Sequence, residues 1–145
     1  MNFFSEIFSN KVLGISIFAC FLAQFIKIFT GKSKRIDLAR ILTSGGMPSS
    51  HSSFVTSLAT LVGLERGFNS TDFAIVVVFA LIIMYDASGV RRAVGKQATI
   101  LNQIVDDVHH GKHIEQEKLK ELIGHTPVEV WMGAILGVLV ALVMA

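Results

Sequence analysis

The stretch "SGGMPSSHSSF", Ser44 to Phe54, decides how the rest of the chain is read. Glycines, a proline and serines surround one histidine, and the chain then turns apolar through Phe54-Val55-Thr56-Ser57-Leu58-Ala59. A polar, pliable turn of this kind at the mouth of an apolar segment has two readings. Gly45 and Gly46 permit close backbone approach, Pro48 sets the direction in which a helix begins, and Ser49 and Ser50 offer hydroxyls and amides to an anion. Alternatively, Ser49 or Ser50 simply caps the helix that follows.

Working outward, the composition places that helix in a membrane. The chain has 145 residues, room for one domain. It is 52% hydrophobic and 17% charged, with a mean hydropathy of +0.60. Soluble domains carry about 25% charged residues, so charge is too scarce here for a water-facing surface. The formal charge of +2 is too small to point to nucleic acid. The single cysteine, Cys20, excludes an intrachain disulfide and reads as a small lipid- or core-facing residue. The first two dozen residues lack the positive n-region of a secretory signal.

Four apolar segments follow, at about 12–29, 52–66, 72–90 and 127–145, with polar loops at about 30–51 and 91–125. A bilayer core of roughly 30 Å needs about 20 helical residues. The first, third and fourth segments approach that length, and the second is short. The runs lack the alternation of strands. The expected fold is all-α, a small polytopic membrane bundle of about four segments with a short amphipathic surface helix near Glu115 to Leu122.

If each segment crosses once, both polar loops emerge on the same face. Of 13 Lys and Arg, only Lys11 and Arg66 fall near the other face, leaving 11 on this one. The positive-inside rule assigns that face to the cytoplasm. A chemical kit converges there: His51 and His125 at helix starts, the basic run Lys32, Lys34, Arg35 and Arg40, the pair Arg91 and Arg92, and the acids Asp86 and Glu129. Many cations and few acids point to an anionic ligand.

In "GHTPVEVWMGAILG" His125 and Glu129 stand four apart, on one face of the last helix. A carboxylate on one imidazole nitrogen fixes the tautomer and frees the other for nucleophilic attack. Equally, Thr126-Pro127-Val128-Glu129 reads as a capping box with proline at the first helical position.

"PSSH" followed by "HTPVEVWMG", with "MYDASGVRRAVGKQATILNQI" between, resembles the second and third signatures of the type 2 phosphatidic acid phosphatase (PAP2) and vanadium haloperoxidase superfamily. The likeness, from about Ala23 to Gly137, is to its divergent branch. It implies a PAP2-like core and a phosphatase that needs no metal or other cofactor and works through a phosphohistidine. His125 would attack phosphorus, Glu129 would orient it, and His51 would protonate the leaving oxygen. Ser49 and Ser50 would hold phosphoryl oxygens. Lys34 and Arg40 lie nearest the first signature, though Ile41 replaces its proline. No Ser-Arg precedes His125 at the family's spacing; Lys120-Glu121-Leu122 occupy that region, and Arg91 or Arg92 would have to supply the cation.

The substrate implied is a phosphate ester or diphosphate of a lipid or lipid carrier, handled by a multi-pass protein of a plasma membrane of the bacterial inner-membrane kind. The alternative is an inactive PAP2-like membrane protein that binds lipid phosphate or serves as a scaffold. Asp86 reads either as an orienting or proton-relay acid or as an ion-pair partner of Arg91 or Lys27. Lys27 otherwise reads as a lysine snorkelling from a helix end. Asp106, Asp107, His109, His110 and His113 suggest a metal, but adjacent histidines beside a glycine make poor ligand geometry. Trp131 reads as an interfacial anchor. Gly133 and Gly137 form a G-x-x-x-G, read as a close helix contact within the monomer or across a homodimer.

Overall fold

Six helices, and no strand, make up the residues that the computed structural model describes, 2–30, 46–108 and 124–145. In chain order they are α1 (Phe3–Ser9), α2 (Lys11–Lys27), α3 (Ser50–Arg66), α4 (Thr71–Ser88), α5 (Val90–Val108) and α6 (Pro127–Met144). The break between α1 and α2 falls at Asn10, which leaves the helical region with ψ of 99° and caps α2 by accepting the Leu13 N–H at 3.0 Å. The two helices meet at 58°.

Helix α3 is the core, packed against α2, α4 and α6. It buries Ser50, Ser52, Ser53, Ser57, Ala59 and Gly63 along with Val55 and Leu61. Small side chains bring neighbouring backbones close, which is how helices associate where lipid offers no hydrophobic drive. The hydroxyls then find partners on those backbones. Ser53 Oγ donates to the Ala19 carbonyl of α2 at 3.1 Å. Thr56 Oγ1 lies 2.8 Å from the Ser52 carbonyl and 3.0 Å from the Ala134 carbonyl of α6. The facing surface of α2 is small as well: Ser16, Ala19 and Ala23 are buried, and Lys27 continues the row.

Gly133 and Gly137 complete this packing. A Cβ on Gly133 would strike the Ser49 backbone, and one on Gly137 would strike the Ser53 carbonyl and Thr56 Oγ1. The G-x-x-x-G therefore serves the contact with α3 inside one chain. Of the two contacts the sequence left open for these glycines, the one within the chain is present, and both glycines are buried in it.

Two helical stretches, α6 and the run that begins with α4, are each long and apolar enough to cross a membrane, and α1 with α2 would make a third. Helix α3, at 17 residues and interrupted by serines, does not reach that standard; the expected count of four reduces to two or three by this measure. Outward-facing Ile75, Val78, Phe79, Leu81 and Ile82 of α4 are 53–62% exposed, a belt suited to lipid rather than water.

The expected polar loop at 91–125 is corrected over its first part, since Val90–Val108 is helical. Dense polar residues and Gly95 obscured its period. It follows α4 directly across Gly89, buries Gly95, Ala98 and Asn102, and exposes Val94, Leu101 and Ile104. The amphipathic helix expected near Glu115 to Leu122 lies outside the described residues.

Candidate active site

The N-terminal ends of α3 and α6 meet at one end of the bundle. There the rings of His51 and His125, far apart in sequence, lie 6.5 Å apart between centroids and tilted by 52°. Backbone bonds hold the two helix starts together: the Ser49 N–H donates to the Glu129 carbonyl at 3.0 Å. The end of α4 is tied in as well, because the His125 N–H donates to the Ala87 carbonyl at 2.9 Å.

Ser49 acts as the cap of α3. Its Oγ accepts from the Ser52 N–H at 3.4 Å and from the Ser52 hydroxyl at 3.0 Å. Its amide is also engaged and its side chain is fully buried, so Ser49 shapes the turn at the start of α3. Ser50 and His51 follow in the first turn, whose N–H groups have no intrahelical carbonyl to bond.

The capping box at α6 is present. Glu129 N–H donates to Thr126 Oγ1 at 3.3 Å, and the Thr126 N–H donates to Glu129 Oε2 at 2.9 Å. The same Oε2 lies 3.8 Å from His125 Nδ1. That is beyond hydrogen-bonding distance but close enough for a strong field. Among the described residues Nδ1 has no hydrogen-bond partner. Glu129 thus serves as the cap of α6, with its carboxylate near His125 but not hydrogen-bonded to it.

His125 is 5% exposed, whereas His51 is exposed. Burial holds the His125 imidazole below the usual histidine range. The Lys27 ammonium and His51 push the same way, and Glu129 with a Gly124 backbone hydrogen bond opposes them. His125 is therefore neutral near pH 7.

Lys27 is the residue whose place in the site the sequence reading missed. It is 3% exposed, so it does not snorkel. Its Cδ lies 4.0 Å from where a Cβ on Gly46 would stand, where φ is +85°, and its charge acts on Glu129 and His125. The spacing of Ser16, Ala19, Ala23 and Lys27 was the available signal, since it carries the lysine onto the buried stripe of α2. Asp86 is half-buried in the last turn of α4, next to the Ala87 carbonyl that holds His125. Arg91 and Arg92 begin α5, with side chains outside the described set, and Lys34 and Arg40 lie outside the described residues altogether.

A helical membrane protein whose central helix and last helix each deliver a histidine to one buried end is the class defined by this arrangement. The sequence profile of the Divergent PAP2 family matches residues 8–140, and the chain belongs to that family. It is similar to the uncharacterized membrane protein YuiD of Bacillus subtilis (strain 168), 43% identical over 153 residues that cover 97% of each chain. No solved structure matches.

Proposed function

We propose that the protein is a multi-pass phosphatase of the plasma membrane that hydrolyses a phosphate ester or diphosphate of a lipid or lipid carrier through a phosphohistidine. The observation that carries this reading is the 6.5 Å separation of the two imidazoles. Rings at that separation are close enough for both to reach one phosphoryl group, one at an attack distance of about 3 Å from phosphorus and the other at a hydrogen bond of about 3 Å from the leaving oxygen.

The unequal environments assign the roles. Buried, neutral His125 attacks phosphorus while the bond from phosphorus to the leaving oxygen breaks. Exposed His51, protonated, gives its proton to that oxygen. His51 then takes a proton from water, the hydroxide attacks the phosphohistidine, and the phosphorus–nitrogen bond breaks to release inorganic phosphate. Phosphoryl transfer depends mostly on alignment and charge stabilisation, in this reading offered by the first-turn amides of α3, Ser50, Lys34, Arg40 and Arg91 or Arg92. Asp86 would steady the end of α4 behind His125. An amphiphilic substrate keeps its tail in the lipid that faces α4 and α6.

The absence of Ser-Arg upstream of His125 and the engaged groups of Ser49 favour a second reading, a protein that binds lipid phosphate without turning it over. Protein purified with EDTA and assayed on phosphatidate and a polyprenyl diphosphate separates the two. The phosphatase reading expects phosphate release by the wild type and a loss of at least about a hundredfold in His125→Ala. Equal rates in both overturn it, and vanadate binding without turnover supports the second reading.

A further inference from the structure

We propose that Lys27 is a positioning residue that balances Glu129 so that His125 keeps its imidazole neutral beside the carboxylate; this rests on the reading of His125 as the nucleophile. The problem arises from the geometry. A carboxylate 3.8 Å from the Nδ1 of a buried imidazole would by itself favour the cationic form of His125. A protonated imidazole has no lone pair for phosphorus. The site needs Glu129 near His125 and also needs its charge divided.

Lys27 meets that need by position. It ends α2, a helix packed against both α3 and α6. It is buried beside the turn at Gly46, and its charge acts on Glu129 and His125 together. The charged and titratable groups that act on His125 are Lys27 from α2, His51 from α3 and Glu129 from α6, and Asp86 precedes the Ala87 whose carbonyl holds the His125 N–H. Arg91 and Arg92 open α5. Of these, Lys27 is the buried cation on the opposite side of the balance from Glu129. The resulting acidity of His125, held below the ordinary histidine range chiefly by burial and next by Lys27, agrees with this assignment.

The test is the titration of His125 itself, followed by histidine-selective NMR in lipid nanodiscs and assigned with His125→Ala. The midpoint should rise in Lys27→Met, stay near the wild type in Lys27→Arg, and return toward the wild type in Lys27→Met combined with Glu129→Gln. Turnover at pH 6 should fall about tenfold in Lys27→Met and recover as pH rises, because each pH unit changes the neutral fraction up to tenfold. An unmoved midpoint in Lys27→Met, or a rise that Glu129→Gln does not reverse, overturns the proposal. Loss of vanadate binding with no change in midpoint also overturns it, making Lys27 a direct ligand. If the wild type releases no phosphate, the phosphatase reading fails while the titration still decides the charge balance.

Discussion

A single carboxylate oxygen of Glu129 both caps α6 and faces His125, and the two duties can be separated by substitution. Glutamine also completes a capping box, so Glu129→Gln should change thermal stability by less than about 1 kcal/mol. It removes the negative charge from beside Nδ1, and turnover should fall by about a hundredfold. Comparable losses of stability and activity would instead make Glu129 a structural cap alone. His51, His125 and Glu129 were legible from sequence because short signatures fix them at helix starts. Lys27 was misread because composition places a lysine in an apolar run without saying which face it takes. Ser49 was ambiguous for a related reason: a capping serine and an anion-binding serine share the same local pattern, and only its buried, doubly bonded hydroxyl separates them.

At the level of elements, the seam between α3 and α6 depends on having no side chain at two positions. Gly137→Val drives a branched side chain into the Ser53 carbonyl and Thr56 Oγ1 and should destabilise by at least about 1–3 kcal/mol, measured by thermal unfolding in detergent. Gly14→Ala is the control, because nothing lies within 4 Å of the added methyl; in a helix it should be neutral or stabilising by up to about 1 kcal/mol. Equal destabilisation by both would contradict the close approach at Gly137. Removing the hydroxyl that joins α3 to α2, in Ser53→Ala, should cost about 0.6 kcal/mol. The apolar segments gave the places of α2, α4 and α6 directly, through length and hydropathy. Helix α5 escaped, because a helix half exposed and rich in glutamine, arginine and lysine resembles a loop in composition. The central position of α3 was also hidden, since the serines that weaken it as a lipid-facing span are the residues that suit it to a core.

For the whole molecule, burial of neutral His125 links function and stability to pH in the same direction. With its folded acidity held below the unfolded value, the unfolded chain binds the proton more readily, so stability is full above about pH 6.5 and falls as pH drops below it. Replacing His125 with Asn should reduce that acid sensitivity, and an unchanged pH dependence of melting would show that other groups govern it. The fold brings together residues from α2, α3, α4 and α6 at one buried end, with lipid-facing helices around them. That architecture makes the account depend on one chemical event, the transfer of a phosphoryl group to His125. The most direct measurement is rapid quenching of protein incubated with a phosphorus-32-labelled polyprenyl diphosphate, followed by mapping of acid-labile, base-stable label. Phosphoryl transfer to His125 predicts label on His125 in the wild type and none in His125→Ala. Turnover without any labelled histidine, or label mapped to another residue, would contradict it.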